Sequence, residues 1–244
     1  MNVLAHCRVY PLSTFYKATA ICIDWLEKDA FGNVVLGSEE GVESQNVRSI
    51  GFLHLIEHGF RVSAFKQKMM QRLVEASPNQ SFVLIIDVVS CWDRYLSTLN
   101  REDKNVTYMN SASLLHFESL INFLVQLNES PKEALSRCQN ASTLQYQLAG
   151  IVIDNISYYT HDGASYELLF KVLRMLRAKY GCFVMTVGYG LDFYSGVEQQ
   201  LSSVRQSYDI PTRLPMSYVK NMDCVLLRDT DKDARVVYVK NSLV

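Results

Sequence analysis

Two carboxylates that close apolar runs are the residues of this chain best placed to do chemistry. Leu148-Ala-Gly-Ile-Val-Ile153 runs into Asp154, and Phe82-Val-Leu-Ile-Ile86 runs into Asp87. An apolar run ending in an acid reads as a strand buried on both faces. Its acidic tip then lies at the C-terminal edge of a parallel sheet, where α/β proteins place ligands. In nucleotide-hydrolysing folds such an Asp holds magnesium beside a phosphate, and the same pattern also ends strands that bind nothing. Hydrolysis needs a second part, G-x-x-x-x-G-K-[ST], whose amides wrap phosphate while Lys neutralises it and Ser or Thr holds the metal. The chain reads Gly59-Phe-Arg-Val-Ser-Ala64-Phe65-Lys66, with Ala64 for the second glycine, Phe65 for the lysine and Lys66 for the metal ligand. One position along a helix turns a side chain by about 100°, so Lys66 is expected to turn away. Asp87 is followed by Val88 and Val89, with no carboxylate to orient a water. Gly59, Lys66, Asp87 and Asp154 therefore describe a degenerate nucleotide site. No catalytic residue and no cofactor is expected.

A rival chemistry lies in His54-Leu-Ile-Glu57-His58, an H-x-x-E-H string of the inverted zinc-peptidase type. Zinc needs both histidines on one helical face, whereas Gly51 and Gly59 bound a short run that reads as a strand. In a strand the two histidines stand about 13 Å apart, too far to share an ion, so no metal site is expected. No G-x-S-x-G elbow is present, and His6, His116 and His161 read as surface or packed histidines. A third chemistry is DNA contact through the stretch after Val187, where Arg205, Gln206 and Tyr208 stand close together with Arg213 and Lys220 beyond. Cations can neutralise phosphates and an aromatic can stack on a base. A bland surface loop would have the same composition.

These residues must be positioned by a fold, and 244 residues with 48% hydrophobic content suit one large domain or a core with an extension. With 24 basic and 25 acidic residues the balance is near neutral, which excludes a histone-like mode of binding and leaves local patches open. Acids crowd from Asp24 to Glu43 and cations from Arg61 to Arg72, which reads as solvated faces. The six cysteines lack any C-x-x-C pairing and read as reduced core residues of an intracellular protein. The first twenty residues have no sustained apolar stretch, so neither a signal peptide nor a membrane span is expected. The N-x-S/T matches, such as Asn105 and Asn128, are then incidental.

Residues 1–46 read as an N-terminal extension packing on the core, with a helix-like stretch from Ala18 to Glu27. The core, residues 47–244, opens with a strand from Gly51 to Ile56 and a helix whose Phe65, Met69 and Leu73 repeat at i, i+4, i+8. Strands ending at Asp87 and Met109 follow, then a helix carrying Leu114, Leu115, Phe117, Leu120, Ile121 and Leu124. Ser130-Pro131-Lys132-Glu133 opens the next helix as a capping box with Pro first. After the Asp154 strand, a helix from Ser165 to Lys179 buries Leu168, Leu169, Val172, Leu173 and Leu176 and is stopped by Gly181. Lys171, Arg174 and Arg177 of that helix are left to solvent or a partner. A strand from Cys182 to Val187, a long loop, and two terminal strands, 224–228 and 235–240, complete the chain. The fold class is α/β, a central mostly parallel sheet with C-terminal antiparallel edge strands.

Together the motifs resemble the RecA-like ATPase core of recombinases, with a degenerate phosphate loop. More closely the chain resembles the recombinase paralogues of the Shu complex, which lack ATPase motifs. The stretches that carry the likeness include Val9-Tyr-Pro-Leu-Ser13, Gly51-Phe-Leu-His-Leu-Ile-Glu57, Ile85-Ile-Asp-Val-Val-Ser-Cys-Trp92, Tyr108-Met-Asn-Ser111, Ala134-Leu-Ser-Arg-Cys-Gln139, Asp192-Phe-Tyr-Ser-Gly-Val-Glu198 and Pro211-Thr-Arg-Leu-Pro215. The resemblance implies a non-catalytic nuclear subunit that pairs with a second recombinase-like Shu subunit as a heterodimer and joins two further Shu subunits. It implies assistance to recombinase filament assembly in homologous recombination and DNA damage tolerance, on single-stranded and forked DNA and away from membranes. Two DNA loops would fall near 158–164 and 196–209. The family's second loop has a basic cluster where this chain offers only Arg205 clearly. The alternative is an interaction scaffold whose DNA contacts come from its partner.

Overall fold

The computed structural model describes residues 20–29, 33–36, 45–46, 49–57, 62–99, 104–140, 146–159, 162–190, 210–228 and 233–240. Its strands are β1 (Leu26–Lys28), β2 (Asn33–Leu36), β3 (Gln45–Asn46), β4 (Phe52–Glu57), β5 (Ser81–Asp87), β6 (Lys104–Met109), β7 (Gln147–Asp154), β8 (Phe183–Tyr189), β9 (Cys224–Arg228) and β10 (Ala234–Val239). They form one sheet in the order β3-β1-β2-β10-β9-β4-β8-β7-β5-β6. From β9 to β6 every pairing is parallel, and from β3 to β9 every pairing is antiparallel.

Strand alternation sends successive side chains to opposite faces, which divides the interior into two cores. Leu84, Ile86, Ile151 and Ile153 pack with α3 (Phe117–Glu129), α4 (Pro131–Ser136) and α5 (Gly163–Tyr180) on one face. Val83, Ile85, Val152 and Met185 pack on the other with α1 (Ala64–Ala76) and α2 (Leu96–Leu99). The result is a three-layer mixed α/β fold with every residue of β5, β8 and β9 buried.

Three expectations change. The stretch expected as a helix up to Glu27 is extended over its described part: Ile23 bridges Ile50 and Leu26 opens β1. Ile23 and Leu26 are 1% and 0% exposed, and partners distant in sequence outweigh a weak local preference. The terminal hairpin is antiparallel as expected but is no edge, because β9 lies parallel to β4 and β10 continues into β2. Ser130 precedes α4 with Pro131 in its first turn, yet its side chain makes no capping hydrogen bond. The end of α5 follows expectation: Gly181 adopts φ 65°, the left-handed turn that glycine enters without steric cost, and its N–H donates to the Arg177 carbonyl.

The expectation that Leu168 of α5 is buried is overturned, and Arg177, expected to be available, is half-buried. Leu168 is 48% exposed, while the Arg177 guanidinium stacks 5.5 Å from the Phe52 ring centre and donates to Cys22 Sγ. The guanidinium plane and aliphatic stem of an Arg can cover an aromatic face, so its charge alone does not assign it to solvent.

Candidate functional site

The parallel strands converge at their C-terminal ends on four side chains. Register places Asp87 of β5 beside Asp154 of β7, and Glu57 of β4 beside Tyr189 of β8. Glu57, Asp87, Asp154 and Tyr189 are all fully buried. Charges removed from water must be paired or they oppose folding, and the surrounding residues supply much of the pairing, leaving Glu57 Oε2 and Asp154 Oδ1 without a hydrogen bond among the described residues.

Helix α1 begins at this edge. Ser63 caps it, its Oγ accepting from the Lys66 N–H at 3.0 Å and donating to Glu57 Oε1 at 2.7 Å. The same first turn sends Lys66 inward: its Nζ donates to Asp154 Oδ2 at 2.7 Å and lies 4.0 Å from Glu57 Oε2. The expectation that Lys66 turns away is thereby corrected. A one-residue displacement rotates the lysine about the helix, and its long stem still reaches the strand ends, with the whole side chain at 0% exposure. Rings of Trp92 and Tyr189 stand 5.5 and 5.9 Å from the ammonium. Trp92 also donates its indole N–H to Asp154 Oδ2 at 2.7 Å. Asp87 accepts from the Trp92 backbone N–H and the Tyr108 hydroxyl, each at 2.8 Å. From β9, Arg228 Nε approaches Glu57 Oε1 to 3.6 Å.

The electrostatics follow from this packing. Burial pushes the Glu57 carboxyl above its ordinary value, opposed by Lys66, the Ser63 hydrogen bond and Arg228. Burial alone would lower Lys66, but attraction to Asp154 and Glu57 outweighs it and holds the ammonium above the usual lysine range. The Cys91 thiol, with Sγ 3.5 Å from Asp154 and 3.6 Å from Asp87, is pushed up by burial and by those carboxylates, so it stays a neutral thiol. The cluster can neutralise and hold charge.

Of the residues read from sequence as the degenerate nucleotide site, Lys66 and Asp154 meet directly, and Asp87 joins them through Trp92 and Cys91. Gly59 lies outside the described residues, as do Arg205, Gln206 and Tyr208 of the DNA loop. Arg213 is exposed and follows Thr212, which bridges Gly190 at the end of β8. In the zinc-like string, β4 puts His54 and Glu57 on opposite faces, and His58 lies outside the described residues. His54 Nδ1 is engaged by Thr186 Oγ1 at 2.9 Å. Among the described residues no three His, Cys, Asp or Glu side chains gather as a metal site. Sequence reasoning missed Ser63, Trp92, Tyr108, Tyr189 and Arg228. Only Ser63 carried a local signal, as a helix cap; the others arrive from separate strands and turns.

Fold and site define a mixed α/β protein with a large, mostly parallel sheet, whose strand-end carboxylates Glu57 and Asp154 face its own lysine and arginine. The family described as Shu complex component Psy3, DNA-binding, matches over residues 7–231. The chain is 35% identical to platinum sensitivity protein 3 of Saccharomyces cerevisiae over 244 residues, covering 94% of this chain and 93% of that one. The chain belongs to the Psy3 family of Shu complex components. Solved structures give fainter likenesses. The ATPase 2 and 3 region of EssC from Geobacillus thermodenitrificans superposes with a TM-score of 0.41 at 13% identity, over 93% of this chain and 38% of that one. The cytoplasmic domain of EssC gives 0.34 at 14% identity, over 78% and 35%. These scores carry no functional argument.

Proposed function

We propose that this chain is a non-catalytic, DNA-binding subunit of a Shu-type complex that promotes recombinase filament assembly in homologous recombination repair and error-free damage tolerance. The observation that carries the reading is 35% identity to platinum sensitivity protein 3 across nearly the full length of both chains. The site supports the non-catalytic part, because Asp154 already accepts from Lys66 and Trp92. In this reading residues 47–244 are a RecA-like core with a degenerate phosphate loop, and residues 1–46 pack on it. The protein works in the nucleus as a heterodimer with a second recombinase-like subunit and joins two further Shu subunits. Arg205, Gln206, Tyr208 and Arg213 contact single-stranded or forked DNA in support of the recombinase filament.

The test is fluorescence anisotropy of labelled single-stranded and forked DNA against the purified complex across a salt series. Loss of a phosphate contact lowers affinity on every sequence and flattens the salt slope by about one unit, and Arg205→Ala is expected to do both. An intact complex with unchanged affinity and slope would move the chain to the scaffold reading, with DNA held by its partner.

A further inference from the structure

The surroundings of the Lys66 ammonium have the composition of a receptor for organic cations. Two carboxylates, Asp154 at 2.7 Å and Glu57 at 4.0 Å, supply charge, and the rings of Trp92 and Tyr189 stand 5.5 and 5.9 Å away. Aromatic faces attract an ammonium through the ring quadrupole, more strongly once it is desolvated. A hydrated divalent metal is suited to all-oxygen coordination instead. Here the indole N–H and the ammonium both donate to Asp154 Oδ2, which opposes a metal at that oxygen, while Oδ1 has no hydrogen-bond partner among the described residues. We infer that the ends of β4, β7 and β8 form an ammonium cage permanently occupied by the chain's own Lys66, which ties α1 to the sheet where a bound ligand would otherwise do so.

The inference deepens the non-catalytic reading by assigning the occupant of the degenerate site. The mechanical consequence is direct. Ser63 and Lys66 both belong to the start of α1, and between them they engage Glu57 and Asp154 on different strands. The core is thus closed by an intramolecular cation, with no nucleotide needed to bring its parts together.

The experiment measures thermal unfolding of Lys66→Ala in the assembled complex, beside the wild-type complex, with added n-propylammonium, uncharged n-propanol or Mg-ATP. n-Propylammonium replaces the carbons and ammonium that the substitution removes beyond Cβ. Breaking a buried pair is expected to lower the melting temperature by about 10 °C. n-Propylammonium should restore several degrees in the variant and none in the wild type, while propanol restores little. Equal rescue by propanol would overturn the cage, since volume alone would then explain the site. Should Lys66→Ala not fold, acetylation of the wild-type complex followed by peptide mass spectrometry decides. Lys66 is expected to react slower than exposed Lys171 and Lys220 by on the order of 100-fold, and an equal rate would sink the inference. Stabilisation of the wild type by Mg-ATP would overturn the permanently occupied cage, whereas the Arg205→Ala result bears on the DNA reading alone.

Discussion

The two ends of the parallel sheet are built in opposite ways. At the C-terminal end, Glu57, Asp87 and Asp154 are buried with Lys66, Arg228, Trp92 and Tyr108 packed onto them. At the N-terminal end of β5 and β7, Phe82, Leu127, Leu135, Leu148 and Tyr180, together with Lys132 and Gln147, line a partly open pocket of about 250 Å³. The charged end is held by ion pairs and hydrogen bonds, and the mainly apolar end borders open space. An apolar wall facing a void forfeits only part of its dispersion contacts, whereas an unpaired carboxylate in the same position forfeits its hydration. The protein therefore leaves space beside a mainly apolar wall, and where charge is buried it gathers opposite charges and donors, leaving Glu57 Oε2 and Asp154 Oδ1 as the carboxylate oxygens without a hydrogen-bond partner among the described residues.

The largest expected effect breaks the charged end. Asp154→Ala leaves Lys66 and the Trp92 indole without their shared acceptor and should cost about 3–5 kcal/mol in urea unfolding. Replacing both partners, as Lys66→Met with Asp154→Leu, should cost less than the single change, because no buried ammonium is left without Asp154 and Glu57 keeps Arg228. A double variant worse than the single one would mean that the pair is not the dominant contact.

His54 sharpens the contrast, because it is fully buried beside Thr186 with no charged partner in contact. Burial lowers its pKa from 6.5 to about 4, with the Thr186 hydrogen bond opposing. The unfolded chain then binds the proton more tightly than the folded one. Its contribution is complete above pH 6.5 and is lost as pH falls toward 4, about 3 kcal/mol across that window. Unfolding free energies from pH 7 to 4 should show this slope, and His54→Leu should flatten it.

The smallest effect is expected at the apolar end. Leu135→Phe adds volume beside the cavity and should stabilise by about 0.5–1 kcal/mol in the same assay. A loss larger than about 1 kcal/mol would indicate overpacking and erase the difference between the two ends.

Much of the frame was legible in the sequence because apolar runs ending in Asp87 and Asp154 carry their own evidence of buried parallel strands. The helix boundary at Gly181 was legible for the same local reason. The interior position of the C-terminal hairpin was not, since an antiparallel pair looks alike at an edge and between two neighbours. Nor were the exposure of Leu168 and the half-buried place of Arg177, as helical periodicity assigns a face without saying which aromatic ring lies opposite it.

By itself the sequence determined the α/β alternation, the absence of an intact phosphate-loop string and the two strand-end carboxylates, all written in contiguous stretches. Only the tertiary structure decided what those carboxylates hold. Lys66 and Asp154 are 88 residues apart, and Gly51 and Phe52 donate to Asp223 across 172 and 171 residues. A helical angle counted from a motif says which way a lysine leaves its own backbone, while the strand ends it meets are set by the packing of α1 against the sheet. Buried charge is satisfied in three dimensions, so its partners are found only where the fold brings distant segments within a few ångströms.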